Sequence, residues 1–261
     1  ATSLATISGL IGLWTGFNPI KMKAACHETR ACGLYGMYMT YGYGIALFQV
    51  LVTGLLLYRK KFEHLIKTHW IAIAFFINLL GLVFSYARGA WIAYAIACPF
   101  LFIKSYPKRF IQVAVLSVIT LILSIAFIPK VKNMFFNRHQ SNVERISFYT
   151  AAFYAFKEKP FFGYGYKNFE PNTIKLKWRY KIPHLEKPGH AHSNYLEHLA
   201  STGGLGVIAL LLFCFSWLYK SWKKSEILLS FVIAFMISGL FQYTFGDGEN
   251  LFLMMGVFAF F

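Results

Sequence analysis

Long apolar runs separated by short polar segments are the feature that most constrains the fold of this chain. A helix needs about 20 apolar residues to cross a hydrocarbon core of about 30 Å. We predict eight such segments, at 1–17, 42–58, 69–87, 89–103, 109–129, 197–219, 226–245 and 251–261. A composition that is 57% hydrophobic and only 14% charged excludes an ordinary soluble domain. The sequence therefore predicts an all-α polytopic membrane protein.

The two ends of the chain and its longest loop define the predicted organisation. Both ends lie inside apolar stretches, so we expect the chain to be a piece of a longer protein that is incomplete at both ends. We predict one integral membrane domain, with membrane helices over 1–129, a long loop over 130–196 and further membrane helices over 197–261.

Basic residues give the predicted helices an orientation. If the helices alternate in direction, three short loops rich in Lys and Arg fall on one side of the membrane. These clusters are Arg59, Lys60, Lys61 and Lys67; Lys104, Lys108 and Arg109; and Lys220, Lys223 and Lys224. Short basic loops remain in the cytoplasm, so this side is predicted to be cytoplasmic and the other polar loops external.

The long loop is strongly basic for an external segment. Between Lys130 and Lys187 it carries 12 Lys and Arg against four Glu, a net charge of +8. Contact with membrane lipid phosphates and docking of a phosphorylated substrate both explain this charge. Nucleic acid is not predicted as a partner, because the basic residues lie in short clusters between apolar runs rather than in one stripe.

Two parts of this loop have predicted conformations. Ser141 and Glu144 have the spacing of a capping box, which predicts an amphipathic helix over 142–157 that lies on the outer membrane surface. Glycines and aromatic residues between Phe161 and Trp178 predict irregular structure. The apolar stripe of the predicted helix is Ile146, Tyr149, Phe153 and Phe156.

Arg88 stands in the tight turn between two predicted membrane helices. The two helices share only 35 residues, 69–103, so we predict that the turn lies below the outer membrane surface. An arginine at this depth needs a wet cavity or an anion, which predicts a recessed guanidinium; snorkelling to the interface is the alternative. Gly89 is predicted to permit the turn, and Ser85 to cap it or to bind the same anion.

His192 precedes the sixth predicted membrane helix, for which Asn194 and Glu197 have the spacing of an N-cap and its partner. A helix N-terminus disfavours the protonated imidazole, so His192 is predicted to be neutral near pH 7 and able to act as a general base. The alternative is an interfacial histidine that bonds only the backbone. One pair, His190 and His192, is too weak a pattern to predict a metal site.

The predicted topology places Arg30, Arg88, Arg145 and His192 on the same external side. Arginines bind a diphosphate and stabilise its charge, and a neutral base activates an attacking hydroxyl, so this set suits a diphosphate-linked donor.

Smaller features leave alternatives open. Cys26 and Cys32 can form a disulfide if their loop is external. Asp247 and Glu249 either assist the reaction or belong to a solvated loop, and we favour the solvated loop. Close packing against another helix is predicted for Gly203, Gly204 and Gly206.

Three motifs over about residues 30–210 resemble the O-antigen ligase and polymerase superfamily of bacterial envelope glycosyltransferases. His192-Ser193, nine residues and then Gly203-Gly204-Leu205-Gly206 is similar to the histidine signature of that family. Ser85-Tyr86-Ala87-Arg88-Gly89-Ala90 resembles its Ser-Arg-Gly turn with one residue inserted. Pro160-Phe161-Phe162-Gly163-Tyr164-Gly165, followed by Asn168-Phe169, resembles its Pro-x-x-Gly-x-Gly stretch.

The resemblance implies a GT-C-like helical bundle and a membrane-embedded, metal-independent transferase without a cofactor. It implies that a glycan moves from undecaprenyl diphosphate to an acceptor at the periplasmic face of the bacterial inner membrane. By the same resemblance, His192 is the catalytic residue, and Arg88, Arg145 and, with a weaker match, Arg30 bind the donor substrate.

The sequence thus predicts an O-antigen ligase that transfers the glycan to lipid A-core in lipopolysaccharide biosynthesis. An O-antigen polymerase and a protein O-oligosaccharyltransferase remain open within this class. A transporter or flippase for a lipid-linked anion is the alternative from another class, and it predicts a pathway that reaches both membrane faces.

Overall fold

The structure, a computed structural model, describes residues 2–137, 139–183 and 187–259 and is predominantly helical. The helices are α1 (Thr2–Thr15), α2 (Tyr38–Leu57), α3 (Arg59–Phe62), α4 (Thr68–Ser85), α5 (Arg88–Ala97), α6 (Pro107–Phe127), α7 (Pro129–Phe136), α8 (His139–Glu158), α9 (Phe169–Arg179), α10 (Asn194–Lys224), α11 (Glu226–Phe241) and α12 (Gly248–Phe258). A 3₁₀ turn, Cys98–Phe102, extends α5. Two short antiparallel strands that were not predicted, β1 (Phe17–Asn18) and β2 (Lys23–Ala24), form a hairpin after α1.

Four helices are long and apolar enough to cross a membrane, namely α2, α4, α6 and α10. The other four predicted membrane segments coincide with shorter apolar helices, which are α1, α5 with its 3₁₀ extension, α11 and α12. The prediction of a helical multi-pass membrane protein is confirmed. Crossing of the membrane by all eight segments stays a prediction.

Helix α2 lies at the centre of the bundle, where it packs against α4, α5, α11 and α12. Glycines on α2 allow these neighbours to approach closely. A Cβ atom at Gly54 would clash with Ile227 of α11, and one at Gly42 would clash with Ala87, which precedes α5. Helix α6 differs, because none of its residues is buried and its apolar side chains are exposed, as suits contact with lipid.

The three basic loops meet at the C-terminal end of α2, so they share one side, as their alternation predicted. Lys61, Lys104 and Lys223 line one cavity that also contains Glu226. The Glu226 carboxylate accepts hydrogen bonds from the backbone N–H groups of Lys104 (2.6 Å) and Ser105 (3.0 Å). Because a helix of 20 residues is about 30 Å long, this end lies about one membrane thickness from the first turn of α2.

The loop before α2 is cross-linked and anchored to the bundle. Cys26 and Cys32, whose pairing the sequence left open, form a disulfide. The N–H of Ala31 donates to the carbonyl of Phe84 in α4 at 2.9 Å. These contacts fix the position of Arg30, which lies between the two cysteines.

Helix α8 confirms the helix predicted in the long loop but corrects its start. It begins at His139, so Ser141 lies inside the helix and is not the predicted N-cap. Two residues of the predicted stripe, Ile146 and Phe153, are 61% and 48% exposed, and contact of this stripe with the membrane surface stays a prediction. Small side chains on another face of α8 let it approach α9 and α10 closely. The buried residues of α8 include Ser147, Phe148, Ala151, Ala152 and Ala155.

Helix α9 corrects the prediction of irregular structure as far as Trp178. Turns end at Asn168, and α9 begins at Phe169. Pro171 lies in the first turn of α9, where its missing N–H costs no helical hydrogen bond.

Helix α10 is kinked at Gly203, which has a left-handed φ of +67°. The turn that follows α8, residues 160–165, docks at this kink. The N–H of Tyr164 donates to the carbonyl of Ala200 at 2.9 Å, and the N–H of Gly204 donates to the carbonyl of Pro160 at 2.7 Å. Gly203, Gly204 and Gly206 were predicted to pack against another helix. Gly203 and Gly204 pack against this turn instead, whereas the atoms nearest to a Cβ at Gly206 would belong to Thr202 of the same helix.

We predict that Gly203→Ala destabilises the protein by about 1–3 kcal/mol, because the new Cβ would force a residue with a side chain into a strained backbone conformation. The Cβ would also lie 2.5 Å from the backbone of Phe161. Thermal unfolding in detergent measures the effect. Gly204→Ala is the matched control, since its Cβ would lie no closer than 3.4 Å to Pro160. Equal midpoints for the two variants would contradict the role given to Gly203.

Candidate functional site

His192 lies immediately before α10 in a strained backbone conformation. Its φ of +46° is uncommon for a residue with a side chain. The N-cap of α10 is Ser193, whose side chain accepts a backbone N–H from the first turn at 3.5 Å, and not the predicted Asn194. Glu197 reaches back to the N–H of Ala191 at 2.8 Å. The chain is therefore held in place on both sides of His192, at Ala191 and at Ser193.

Asn194 does not cap α10 because its side chain is used elsewhere. It is buried, its Nδ2 donates to the hydroxyl of Thr244 at 2.8 Å, and its Oδ1 accepts the N–H of Phe245 at 3.2 Å. The start of α10 is thereby tied to the loop between α11 and α12.

A chain of hydrogen bonds connects His192 with Asp247. Nδ1 of His192 lies 3.2 Å from Oε1 of Gln242, and Nε2 of Gln242 donates to Oδ2 of Asp247 at 3.4 Å. The same carboxylate accepts bonds from the hydroxyl of Thr40 (3.1 Å) and the amide of Asn250 (3.3 Å). Since an ionised carboxylate only accepts, Gln242 presents its oxygen to His192. Nδ1 of His192 then carries the proton, and Nε2 carries the lone pair.

Burial keeps His192 neutral at pH 7. It lowers the pKa of His192 to about 4; the hydrogen bond to Gln242 opposes this change, and the nearby cations Arg145 and Lys177 add to it. His190, whose ring centroid lies 4.3 Å from that of His192, has its pKa lowered to about 3 by burial, His192 and Arg145. The neutral imidazole agrees with the prediction, but its main cause is burial rather than the helix N-terminus.

The histidines do not form a metal centre with their neighbours in the structure. Across residues 2–137, 139–183 and 187–259, no group of three His, Cys, Asp or Glu side chains is arranged to hold a metal ion. His198 lies one turn into α10, where its Nδ1 is 2.7 Å from the carbonyl of Asn194.

Arg88 is the first residue of α5 and is half-buried. Its guanidinium donates to the carbonyl of Phe135 at 3.2 Å and to the amide oxygen of Asn142 at 3.1 Å. Arg88 is therefore held against α7 and α8, at the end of the bundle where α2 begins.

The turn before Arg88 differs from the prediction. Its left-handed residue is Tyr86, with φ +49°, and Gly89 lies inside α5. Gly89 is needed for packing, because a Cβ there would clash with the hydroxyl of Tyr43. Ser85 donates to the carbonyl of Leu82 at 2.7 Å, so it caps the turn.

Arg145 and Arg30 approach the first turn of α2 from two sides. Nη2 of Arg145 lies 3.8 Å from Sδ of Met39, and its guanidinium interacts with the hydroxyl of Tyr43. The guanidinium of Arg30 lies 4.1 Å from the ring centroid of Tyr38, and its Nη1 is buried with no acceptor among the described residues.

The structure brings the four predicted site residues to one end of the bundle. Arg88 lies within electrostatic range of Arg145 and Arg30, and Arg145 lies within range of His192. In the part of the chain that the structure describes, none of these arginines forms an ion pair with a carboxylate. Neighbouring cations without counter-ions repel one another, which favours binding of an anion between them.

Gln242 and Lys177 were not predicted from the sequence as part of this region, and Asp247 was assigned to a solvated loop. Gln242 lies in an apolar segment, and a polar residue in such a segment is a signal that was not used. Asp247 is half-buried in the hydrogen-bond chain, so the solvated loop favoured for it is wrong, whereas Glu249 is exposed. Lys177 is fully buried, with Nζ 3.4 Å from the ring centroid of Phe148, and burial lowers its pKa to about 8.

We predict that His192 titrates near pH 4, compared with about 6.5 for an unstructured histidine. The unfolded chain then binds more protons than the folded chain between these values, so the free energy of unfolding falls as the pH is lowered from about 6.5 towards 4. Imidazole ¹⁵N NMR measures the titration, and His192→Gln should remove its signal and its part of the pH-dependent stability. A midpoint near 6.5 would contradict the burial argument.

We predict that Gln242→Leu shifts the tautomer of His192, because the acceptor of the Nδ1 proton is lost. The ¹⁵N shifts of the imidazole should change from those of an Nδ1–H tautomer towards a mixture. Gln112→Leu is the matched control, since Gln112 is exposed on α6. An unchanged tautomer in Gln242→Leu would show that Gln242 does not orient the ring.

Comparisons with known proteins bear on the same region. A family model described as O-antigen ligase matches residues 73–211, a span that includes Arg88, Arg145 and His192 but not Arg30. No curated protein matches the chain.

Proposed function

This chain belongs to the O-antigen ligase family, and on that premise we propose that it moves a glycan from undecaprenyl diphosphate to lipid A-core. Family members are glycosyltransferase-like enzymes, ligases or polymerases, that act on lipid-linked glycans. We place the reaction at the periplasmic face of the bacterial inner membrane and expect it to need no metal ion.

The observation that carries this proposal is the juxtaposition of uncompensated cations with a neutral imidazole. Arg88 and Arg145 lie in one cluster with Arg30, and His192 lies within electrostatic range of Arg145. A diphosphate supplies the missing negative charge, and guanidinium groups match its geometry. A neutral histidine beside it supplies the base that a hydroxyl nucleophile requires.

In the proposed reaction, Nε2 of His192 takes the proton of the acceptor hydroxyl as the oxygen forms a bond to the anomeric carbon of the donor glycan. The bond between that carbon and the diphosphate oxygen breaks, and its electron pair leaves with undecaprenyl diphosphate. The arginines stabilise the charge that develops on the leaving group. Gln242 and Asp247 stabilise the imidazolium through Nδ1–H, and a single displacement inverts the anomeric centre.

Two observations support an external location of this reaction. The basic loops meet at the C-terminal end of α2, whereas Arg145 contacts Met39 at the start of the same helix. The loop with Arg30 carries a disulfide, a bond that persists in oxidising compartments such as the periplasm.

We predict that full-length protein in detergent transfers glycan to purified lipid A-core with a chelator present. His192→Ala should lower kcat about 10²–10⁴-fold through loss of the base, and Arg88→Ala about 10²–10³-fold through loss of leaving-group stabilisation. The controls are His69→Ala and Arg109→Ala, both exposed residues outside the site, which should match the wild type.

Each other outcome has a distinct meaning. Growth of the donor glycan with untouched lipid A-core would identify a polymerase, and transfer to a polypeptide would identify a protein O-oligosaccharyltransferase. Full activity of folded His192→Ala would exclude His192 as the base. Movement of the lipid-linked donor across a vesicle membrane without any transfer would favour a flippase.

A further inference from the structure

We infer that a cavity beside His190 is the acceptor subsite, where a neutral, hydroxyl-rich sugar binds; this inference rests on the proposed function. The cavity has a volume of about 330 Å³, at the lower end of the range typical of small-molecule sites. Its lining consists of Lys167, Glu170, Pro171, His190, Glu197, Tyr243, Gly246 and Asp247.

Two residues that line the cavity are close to the base or connected to it. His190 has its ring centroid 4.3 Å from that of His192. Asp247, which also lines the cavity, accepts a hydrogen bond from the Gln242 amide that orients His192. A sugar in the cavity therefore lies one side chain away from the catalytic imidazole, and the hydroxyl that reacts must extend beyond the cavity to reach Nε2 of His192.

The charge of the cavity is opposite to that of the arginine cluster. Glu170, Glu197 and Asp247 provide three of the ten acidic residues in a chain with a net charge of +16. Such a lining disfavours the diphosphate of the donor. Glu197 and Asp247 already accept hydrogen bonds from protein groups, so the exposed Glu170 carboxylate is the acceptor most open to sugar hydroxyls. Only Lys167 opposes this charge among the residues of the lining.

The lining also offers apolar surface beside its acceptors. Tyr243 is 7% exposed, and its ring centroid lies 5.8 Å from that of His190. Pro171 adds a rigid apolar face from the first turn of α9. An aromatic ring, a proline and the exposed Glu170 carboxylate suit a ligand with apolar C–H faces and polar hydroxyl edges.

The two substrates would reach His192 from different structural elements. The arginines lie before α2, at the start of α5 and on α8, whereas the cavity is formed by the segment leading into α9, the start of α10 and the α11–α12 loop. Donor diphosphate and acceptor sugar can therefore bind together without sharing a charged group, with His192 between them.

Kinetics of Glu170→Gln and Glu170→Lys test this assignment. Glu170 is exposed in the first turn of α9, so both variants should fold. In the lipid A-core assay, we expect the acceptor KM to rise about tenfold in Glu170→Gln and further in Glu170→Lys, with donor KM and kcat unchanged. Glu249→Gln is the matched control, because this carboxylate is exposed near the cavity but is not part of its lining.

A rise of the donor KM with a constant acceptor KM would overturn the assignment and place the donor glycan in the cavity. Unchanged constants in both Glu170 variants would also overturn it. If the wild type transfers glycan to no acceptor, the proposed function fails. Calorimetric binding of delipidated core oligosaccharide then tests separately whether the cavity binds the acceptor sugar. Binding that is lost in Glu170→Lys supports the subsite, whereas equal binding or no binding by the wild type overturns it.

Discussion

The geometry of the site depends on the contact between the kink of α10 and the turn that follows α8. A residue with φ +67° interrupts the helical hydrogen bonds at Gly203, and carbonyl groups of the preceding turn need other donors. The N–H groups of Tyr164 and Gly165 supply them, at 2.9 and 2.8 Å. In an apolar environment an unpaired backbone group is costly, so the kink and the docking turn require one another. Arg145 belongs to α8, which leads into this turn, and His192 immediately precedes α10. The contact therefore fixes the position of Arg145 relative to His192.

A second network ties the remaining elements to the same histidine. Thr40 belongs to α2, His192 precedes α10, Gln242 follows α11 and Asp247 precedes α12, yet their side chains form one hydrogen-bonded chain. None of these contacts is local in sequence except that between Gln242 and Asp247. The orientation of the imidazole therefore reports on the packing of four helices, and the base is correctly oriented only when the bundle is assembled.

The sequence predicted most of the fold because apolar length and periodicity are local properties. All eight predicted apolar segments are helices, and Arg88, Arg145, Arg30 and His192 lie at the end opposite the basic loops. The features that were not predicted from the sequence depend on tertiary contacts. Ser141 has a capping-box pattern but lies inside α8, and Ser193 rather than Asn194 caps α10 because Asn194 is bonded to the α11–α12 loop. The kink at Gly203 was mistaken for a helix contact, since a glycine pattern does not reveal which backbone it receives.

The electrostatic setting of His192 couples the strength of the base to the presence of the donor. In the free protein burial lowers the pKa of His192 to about 4, and Arg145 and Lys177 add to this shift because they disfavour a third positive charge. A diphosphate bound to the arginines would neutralise part of that field and raise the pKa of the imidazole towards the value that suits proton transfer at neutral pH. A bound donor would thus make His192 a stronger base than it is in the free protein. This part of the activation would come from charge, without a movement of the chain.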